Sequence, residues 1–215
     1  MLYIGSCRYM YGYEWDYFPA RLHSTREIIF FLENIENITQ IISDYPNEIN
    51  YIFGDIYHPV VINDSKKFIA KGIDKNIKKI IMEISSRKVI YRNDIPLNYY
   101  YVHQYKKHGY TEKILTDQEM KDDLENIANL CKTIFNENIE IHIIPHLNLR
   151  TKMGYIPERN NLVQLLHKLC DNVHDVGKYI ESFDKESLLE DYMADSTHYS
   201  KNYDKVKKFL IENIN

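Results

Sequence analysis

The sequence predicts an α/β domain, a three-layer α/β/α sandwich around a mainly parallel sheet of five strands. Short apolar runs alternate along the chain with longer segments whose apolar residues recur at helical spacing. Strands that alternate with helices imply a parallel sheet covered on both faces. The 215 residues suffice for one full hydrophobic core, and no repeat or flexible linker divides them. We therefore expect residues 1–215 to form a single domain.

Local sequence patterns predict where the helices and strands lie. Capping boxes at residues 24–27 and 116–119 predict two helix starts, Pro157 starts a third helix, and a last helix begins near Ser200. The apolar runs that predict strands cover residues 2–4, 49–53, 80–84, 139–145 and 179–183. We assign no regular structure to residues 88–110, a Tyr- and His-rich stretch whose length is typical of a binding loop or lid.

Composition limits the classes of partner. The formal net charge of −4 argues against a nucleic-acid-binding surface, which needs a concentrated excess of Lys and Arg. The first residues lack the basic flank and long apolar stretch of a secretory signal, and no later run reaches the length of a membrane span. We therefore expect a cytoplasmic protein with neither nucleic acid nor membrane as a partner.

The three cysteines are expected to be thiols. Cys7, Cys131 and Cys170 form an odd set without Cys-x-x-Cys spacing, which argues against a disulfide framework and a zinc knuckle. Cys131 and Cys170 lie in helical apolar stripes and are expected in the core. A metal site among His23, His58, His146 and Asp55 is the minority alternative, and we expect neither a metal nor another cofactor.

A first candidate for chemistry is the turn Gly5-Ser6-Cys7-Arg8, which follows the first predicted strand. In open α/β sheets, ligands bind beyond the carboxyl ends of the strands. Gly5 lets the backbone turn sharply, and Ser6 or Cys7 presents a nucleophile whose developing oxyanion meets nearby amides. Arg8 stabilises an anion or lowers the pKa of a thiol. The alternative is that this segment is only a turn.

A second candidate is Asp195-Ser196-Thr197-His198, just before the last predicted helix. A histidine that acts as a general base needs a group that fixes its tautomer, and Asp195 can do this for His198 in a tight turn. The alternative is that Asp195 or Ser200 caps the last helix and that His198 is an ordinary loop residue.

Together the two blocks resemble the SGNH or GDSL-like hydrolase superfamily, in which a Gly-Asp-Ser block follows strand one and an Asp-x-x-His block precedes the C-terminal helix. The resemblance implies a flavodoxin-like fold and an esterase or O-acyltransferase. Aligning Gly5-Ser6-Cys7 with Gly-Asp-Ser puts Cys7 at the nucleophile position, as in GSCFA-like relatives, although a shift of one residue exchanges it with Ser6. His198 would then move the proton, and Asp195 would orient His198.

The resemblance also suggests residues that contact the substrate. Gly54 best matches the glycine block of the oxyanion hole, but the Gly-x-Asn-Asp block after strand three has no match. Ser85 or Ser86 stands there, and either would supply the missing donor through its hydroxyl or its amide. His23 is either the flank of the first capping box or a second active-site imidazole. His146 and Asn148 follow the predicted fourth strand, and they either face the same pocket or are ordinary loop residues.

Three functions therefore follow from the sequence. The first is an acyl-group enzyme that acts on a small-molecule or carbohydrate acyl substrate, with a Cys/Ser-His-Asp site. The second is a noncatalytic glycan- or nucleotide-binding module, which the missing Gly-x-Asn-Asp block favours. The third is a protein-interaction scaffold that uses the aromatic residues 99–101.

Overall fold

The computed structural model describes residues 1–5, 21–45, 52, 76–98, 109–193 and 203–214. Its strands are β1 (Leu2–Ile4), β2 (Lys79–Ile84), β3 (Lys88–Arg92), β4 (Ile95–Leu97), β5 (Thr111–Ile114) and β6 (Glu140–Pro145). Its helices are α1 (Thr25–Glu33), α2 (Ile38–Asp44), α3 (Asp117–Ile134), α4 (Pro157–Leu169), α5 (Val176–Phe183), α6 (Leu189–Tyr192) and α7 (Tyr203–Ile214). The predicted α/β class is confirmed.

The main sheet contains three parallel strands in the order β1-β2-β6 within the described residues. Ile81 in β2 pairs with Tyr3 on one side and with His142 on the other. Nearly all side chains of β1 and β2 are buried whichever face they point to, as expected for parallel strands covered on both faces. Val173 adds a single parallel bridge to Ile143 beyond β6. Three of the five predicted strands are therefore confirmed.

The prediction of a strand at residues 179–183 is wrong, because this segment belongs to helix α5. The Asp175 side chain caps the helix by accepting a 3.0 Å hydrogen bond from the backbone N–H of Lys178. Val176 and Ile180, one turn apart, are both buried. Ile52, the one described residue of the run 49–53, is helical rather than extended. A sheet of five parallel strands is not confirmed.

The second sheet takes two of its strands, β3 and β4, from residues 88–110, for which no regular structure is predicted, and its third strand, β5, begins directly after them. Strands β4, β3 and β5 are antiparallel in that order. Asn93 and Asp94 join β3 to β4 with φ angles of 49° and 63°. A two-residue hairpin turn requires this left-handed backbone, which Asn and Asp adopt more readily than most residues. The Asn93-Asp94 pair is therefore the local sequence signal for this hairpin.

Helix α1, whose start positions the candidate site, is attached to helix α3 by polar contacts. The Thr25 hydroxyl donates a 2.6 Å hydrogen bond to the Asp123 carboxylate, and Arg26 forms a 2.9 Å ion pair with its other oxygen. The Asp123 side chain is only 3% exposed. Because an unpaired buried carboxylate is costly, these contacts fix the first turn of α1 against α3.

In the part of the chain that the structure describes, no helix is both long enough and apolar enough to cross a bilayer.

Candidate functional site

The candidate site lies at the carboxyl ends of the parallel strands, and its first element is Gly5 at the end of β1. A Cβ at Gly5 would lie 2.5 Å from the Tyr3 hydroxyl oxygen and 2.6 Å from Glu83 Cβ. Real Cβ atoms do not approach other atoms so closely, so only glycine fits without a local shift. The Tyr3 hydroxyl donates a 3.0 Å hydrogen bond to the buried Glu83 carboxylate. The backbone therefore packs tightly just before Ser6 and Cys7.

The second element joins the start of α1 to the end of β2. The His23 carbonyl oxygen accepts hydrogen bonds from the backbone N–H groups of Ser85, at 2.9 Å, and Ser86, at 3.1 Å. The His23 imidazole Nδ1 lies 3.0 Å from the Ser85 hydroxyl oxygen. Ser85 comes two residues after Glu83, which contacts Gly5. The structure thus brings together His23 and Ser85, two of the predicted site residues.

Glu27 fixes the backbone of His23 from the other side. Its carboxylate oxygen Oε2 accepts hydrogen bonds from the backbone N–H groups of His23, at 2.6 Å, and Ser24, at 2.8 Å. Burial raises the pKa of Glu27 to about 7, although these N–H donors favour its charged form and oppose the rise. The predicted capping box is confirmed, and the residue before it is anchored through both its N–H and its carbonyl group.

These contacts narrow what the end of β2 can offer to a ligand. The amides of Ser85 and Ser86 are already bonded to His23. The Ser86 hydroxyl donates to the Lys88 carbonyl oxygen at 3.1 Å and accepts from the Lys88 N–H at 2.9 Å. The Ser85 hydroxyl differs from the Ser86 hydroxyl, because its contact among the described residues is the His23 ring.

The end of β6 contributes two buried polar side chains. His146 and Asn148 are both 8% exposed. The Asn148 amide nitrogen donates a 3.1 Å hydrogen bond to Asn160, while its oxygen Oδ1 is buried and has no hydrogen-bond partner among the described residues. His146 Nδ1 lies 3.3 Å from the Leu147 carbonyl oxygen. This end of the sheet therefore has a polar interior, which is unusual unless the polar groups serve the fold or a ligand.

A polar cleft opens beside the end of β2, with a volume of about 370 Å³. Its lining residues are Arg87, Asp117, Asn161, Gln164, Leu165 and Lys168. The Arg87 guanidinium donates to the Leu115 carbonyl oxygen and forms a 2.8 Å ion pair with Asp117. Arg87 directly follows the Ser85-Ser86 pair, so this cleft borders the candidate site.

One cluster was missed by sequence reasoning. His142 Nδ1 lies 2.9 Å from His174 Nε2, and His142 Nε2 lies 3.4 Å from a Glu140 carboxylate oxygen. Burial, and then the neighbouring His142, lower the pKa of His174 to about 4. His142 pairs with Ile81 inside the sheet, away from the carboxyl ends. Among the described residues, no group of three or more His, Cys, Asp or Glu side chains is arranged to hold a metal ion.

The cysteine predictions are tested for two of the three residues. Cys131 is buried and part of the core, as predicted, and burial raises its pKa to about 12. Cys170 is only partly buried at the edge of the core, and burial together with Asp171 raises its pKa to about 11. Both are free thiols.

Six predicted site residues lie outside the described part of the chain, and their positions stay predictions. They are Ser6, Cys7, Arg8, Gly54, Asp195 and His198. Gly5 at the end of β1 directly precedes the first three, and helix α7 begins five residues after His198.

Comparison with protein-family models, with curated proteins and with solved structures finds no match to this chain.

Proposed function

We propose that this protein is an acyl-group enzyme, an esterase or O-acyltransferase of the SGNH type in its GSCFA-like variant. Cys7, or Ser6 after a shift of one residue, is the nucleophile. His198 is the general base, and Asp195 orients His198. The substrate is an ester or thioester of a small molecule or a carbohydrate.

The observation that carries this proposal is the contact between His23 and Ser85 beside Gly5. The tight packing at Gly5 gives the following Ser6-Cys7 segment a defined starting point at the carboxyl end of β1. At the end of the adjacent strand, an imidazole nitrogen lies 3.0 Å from a serine hydroxyl oxygen. Polar groups anchored at this edge are what a site for acyl transfer needs, because the reaction develops negative charge on the carbonyl oxygen.

The proposed reaction has two stages. In the first stage, His198 takes the proton of the Cys7 thiol or Ser6 hydroxyl while the sulfur or oxygen attacks the acyl carbon, and an electron pair moves onto the carbonyl oxygen. This intermediate collapses and expels the leaving group, which takes the proton from His198. In the second stage, water or an acceptor hydroxyl attacks the acyl-enzyme in the same way and releases the acyl group.

Several donors would stabilise the oxyanion of both stages. The amides of the Ser6-Cys7 turn and of Gly54 are the proposed backbone donors. The Ser85 hydroxyl is the proposed donor from the end of β2, because the amides of Ser85 and Ser86 are bonded to His23. Arg8 is proposed to favour the thiolate form of Cys7 or to bind an anionic part of the substrate.

A covalent adduct tests the proposal. We expect p-nitrophenyl acetate or an acyl thioester to acylate the full-length protein at Cys7 or Ser6, as read by intact mass and peptide mapping. Cys7→Ala or Ser6→Ala should abolish the adduct, whereas Cys170→Ala, the matched thiol control, should retain it. His198→Ala should lower turnover by roughly two to four orders of magnitude.

An adduct that persists without both Ser6 and Cys7 would contradict the proposal. The absence of turnover with every ester and thioester would instead favour the glycan- or nucleotide-binding module.

A further inference from the structure

His23 is anchored through its backbone, which leaves its ring a separate role. Its N–H donates to Glu27 and its carbonyl oxygen accepts from Ser85 and Ser86. None of these three contacts uses the imidazole. The ring makes its own contact, from Nδ1 to the Ser85 hydroxyl oxygen at 3.0 Å. A backbone held at three points places this ring nitrogen reproducibly against Ser85.

The direction of the hydrogen bond between the two side chains decides what Ser85 can do. A serine hydroxyl has one proton to donate and can accept two hydrogen bonds. If Ser85 donates to an unprotonated Nδ1, its only proton is used within the pair. If Nδ1–H donates to Ser85, the serine proton stays available for a third group, and the accepted hydrogen bond makes the hydroxyl a stronger donor.

We infer that His23 is a positioning residue that carries its proton on Nδ1 and donates it to the Ser85 hydroxyl oxygen, so that the Ser85 proton is directed at the substrate oxyanion. This inference rests on the proposed function, and it adds a residue that the Asp-x-x-His block does not contain. Ser85 contacts the reacting oxygen, whereas His23 acts through Ser85.

Two substitutions of His23 separate the roles of its ring nitrogens. Asparagine places an amide N–H close to the position of Nδ1, whereas the longer glutamine places it close to the position of Nε2. Both variants keep the backbone contacts to Glu27, Ser85 and Ser86, because these do not involve the side chain. Both should therefore fold alike, which circular dichroism and thermal unfolding would verify.

Kinetics with p-nitrophenyl acetate then test the inference. We expect Ser85→Ala and His23→Gln to lower kcat by about 10²–10³-fold with KM changed less than about threefold, as for the loss of one oxyanion donor. His23→Asn should stay within about fivefold of the wild-type kcat, because it restores the donor. Ser182→Ala, whose exposed hydroxyl bonds only to the Tyr179 carbonyl oxygen within helix α5 in the described part of the chain, is the control and should leave kcat unchanged. Equal losses in His23→Asn and His23→Gln, or no loss in His23→Gln, would overturn the inference.

The tautomer of His23 gives a readout that does not depend on turnover. Long-range ¹H–¹⁵N correlation spectra of the labelled protein distinguish an imidazole protonated at Nδ1 from one protonated at Nε2, and His23→Gln assigns the signal by its loss. We expect neutral His23 to carry its proton on Nδ1, and a proton on Nε2 alone would overturn the inference.

If the wild-type protein forms no acyl adduct, the proposed function fails and this inference fails with it. If the wild type turns over and only the His23 results disagree, the inference alone fails.

Discussion

Gly5 and Glu83 lie so close together across the β1–β2 pair that a methyl group on Gly5 would lie 2.6 Å from Glu83 Cβ. The same methyl group would lie 2.5 Å from the Tyr3 hydroxyl oxygen, which binds the Glu83 carboxylate. One glycine therefore allows a buried carboxylate and its hydroxyl partner to pack directly below the segment that leads to Ser6 and Cys7.

Replacing Gly5 with Ala should both destabilise the protein and disturb the proposed nucleophile turn. The added methyl group must displace Tyr3 or Glu83, and overpacking of this kind costs about 1–3 kcal/mol. Urea denaturation would measure the cost. Gly109→Ala is the matched control, because a Cβ there meets no atom of the described residues within 4 Å. A Gly5→Ala variant as stable as Gly109→Ala would contradict the packing argument.

Replacing Asp123 with Ala should be among the most damaging changes between helices α1 and α3. It leaves the Arg26 guanidinium and the Thr25 hydroxyl without their shared acceptor, and removing one partner of a buried ion pair costs about 3–5 kcal/mol. Because Arg26 is partly exposed, we expect the low end of this range. Asp122→Ala, next in the chain but exposed and bonded only to Gln118 in the described part, should change the free energy of unfolding by less than about 0.5 kcal/mol.

Local patterns were the part of the fold that the sequence predicted best. The capping boxes at Ser24 and Thr116 are present, because each needs only two side chains three residues apart. The apolar run 179–183 misled because five residues cannot separate a buried strand from one face of a helix. The helical spacing becomes visible only when Val176 and the cap Asp175 are included.

Contacts between distant segments could not be predicted in the same way. His23 and Ser85 are 62 residues apart, and His142 and His174 are 32 apart. The sequence placed His23 and Ser85 at one edge of the sheet, but no local pattern showed that their side chains would meet. The contact between His142 and His174 is even harder to predict, because a histidine inside an apolar run does not indicate which residue it will contact.

The two capping boxes should respond to pH with opposite signs. Burial raises the pKa of Glu27 to about 7, so its stabilising contribution is complete below about pH 4.5 and is lost as pH rises through 7. The Lys113 side chain lowers the pKa of the exposed Glu119 to about 2, so its contribution is present above about pH 4.5 and is lost as pH falls toward 2. Glutamine at either position keeps an acceptor oxygen but does not titrate.

Urea denaturation between pH 3 and pH 8 would test this contrast. Relative to wild type, Glu27→Gln should gain stability as pH rises from 4.5 to 7, by up to about 3 kcal/mol for the fully buried carboxyl. Glu119→Gln should be less stable than wild type above pH 4.5, and this difference should shrink as pH falls toward 2. If both variants were more stable than wild type, or both less stable, the opposite pKa shifts assigned to Glu27 and Glu119 would be refuted.

His174 should make the protein less stable in acid. Its folded pKa of about 4 lies below the ordinary value of 6.5, so the unfolded chain takes up this proton first as pH falls. The free energy of unfolding should therefore decrease between pH 6.5 and pH 4, by about 1–2 kcal/mol after allowance for the half-exposed ring. His174→Gln should flatten this part of the pH profile. Thr133→Ala, at an exposed residue without a titratable group, is the control and should leave the slope in place.

Thiol reactivity offers a direct test of the proposed nucleophile that needs no substrate. Burial raises the pKa values of Cys131 and Cys170 to about 12 and 11, so both are almost entirely protonated and unreactive near pH 7. If Cys7 faces a cleft beside Arg8, its thiolate fraction is larger and iodoacetamide should alkylate it first. Brief labelling followed by peptide mapping would give the three rates. We expect Cys7 to react at least tenfold faster than Cys170, since a pKa lower by one unit gives about ten times more thiolate. Equal or slower labelling of Cys7 would move the proposed nucleophile to Ser6, and Ser6→Ala would then be the variant that loses the acyl adduct.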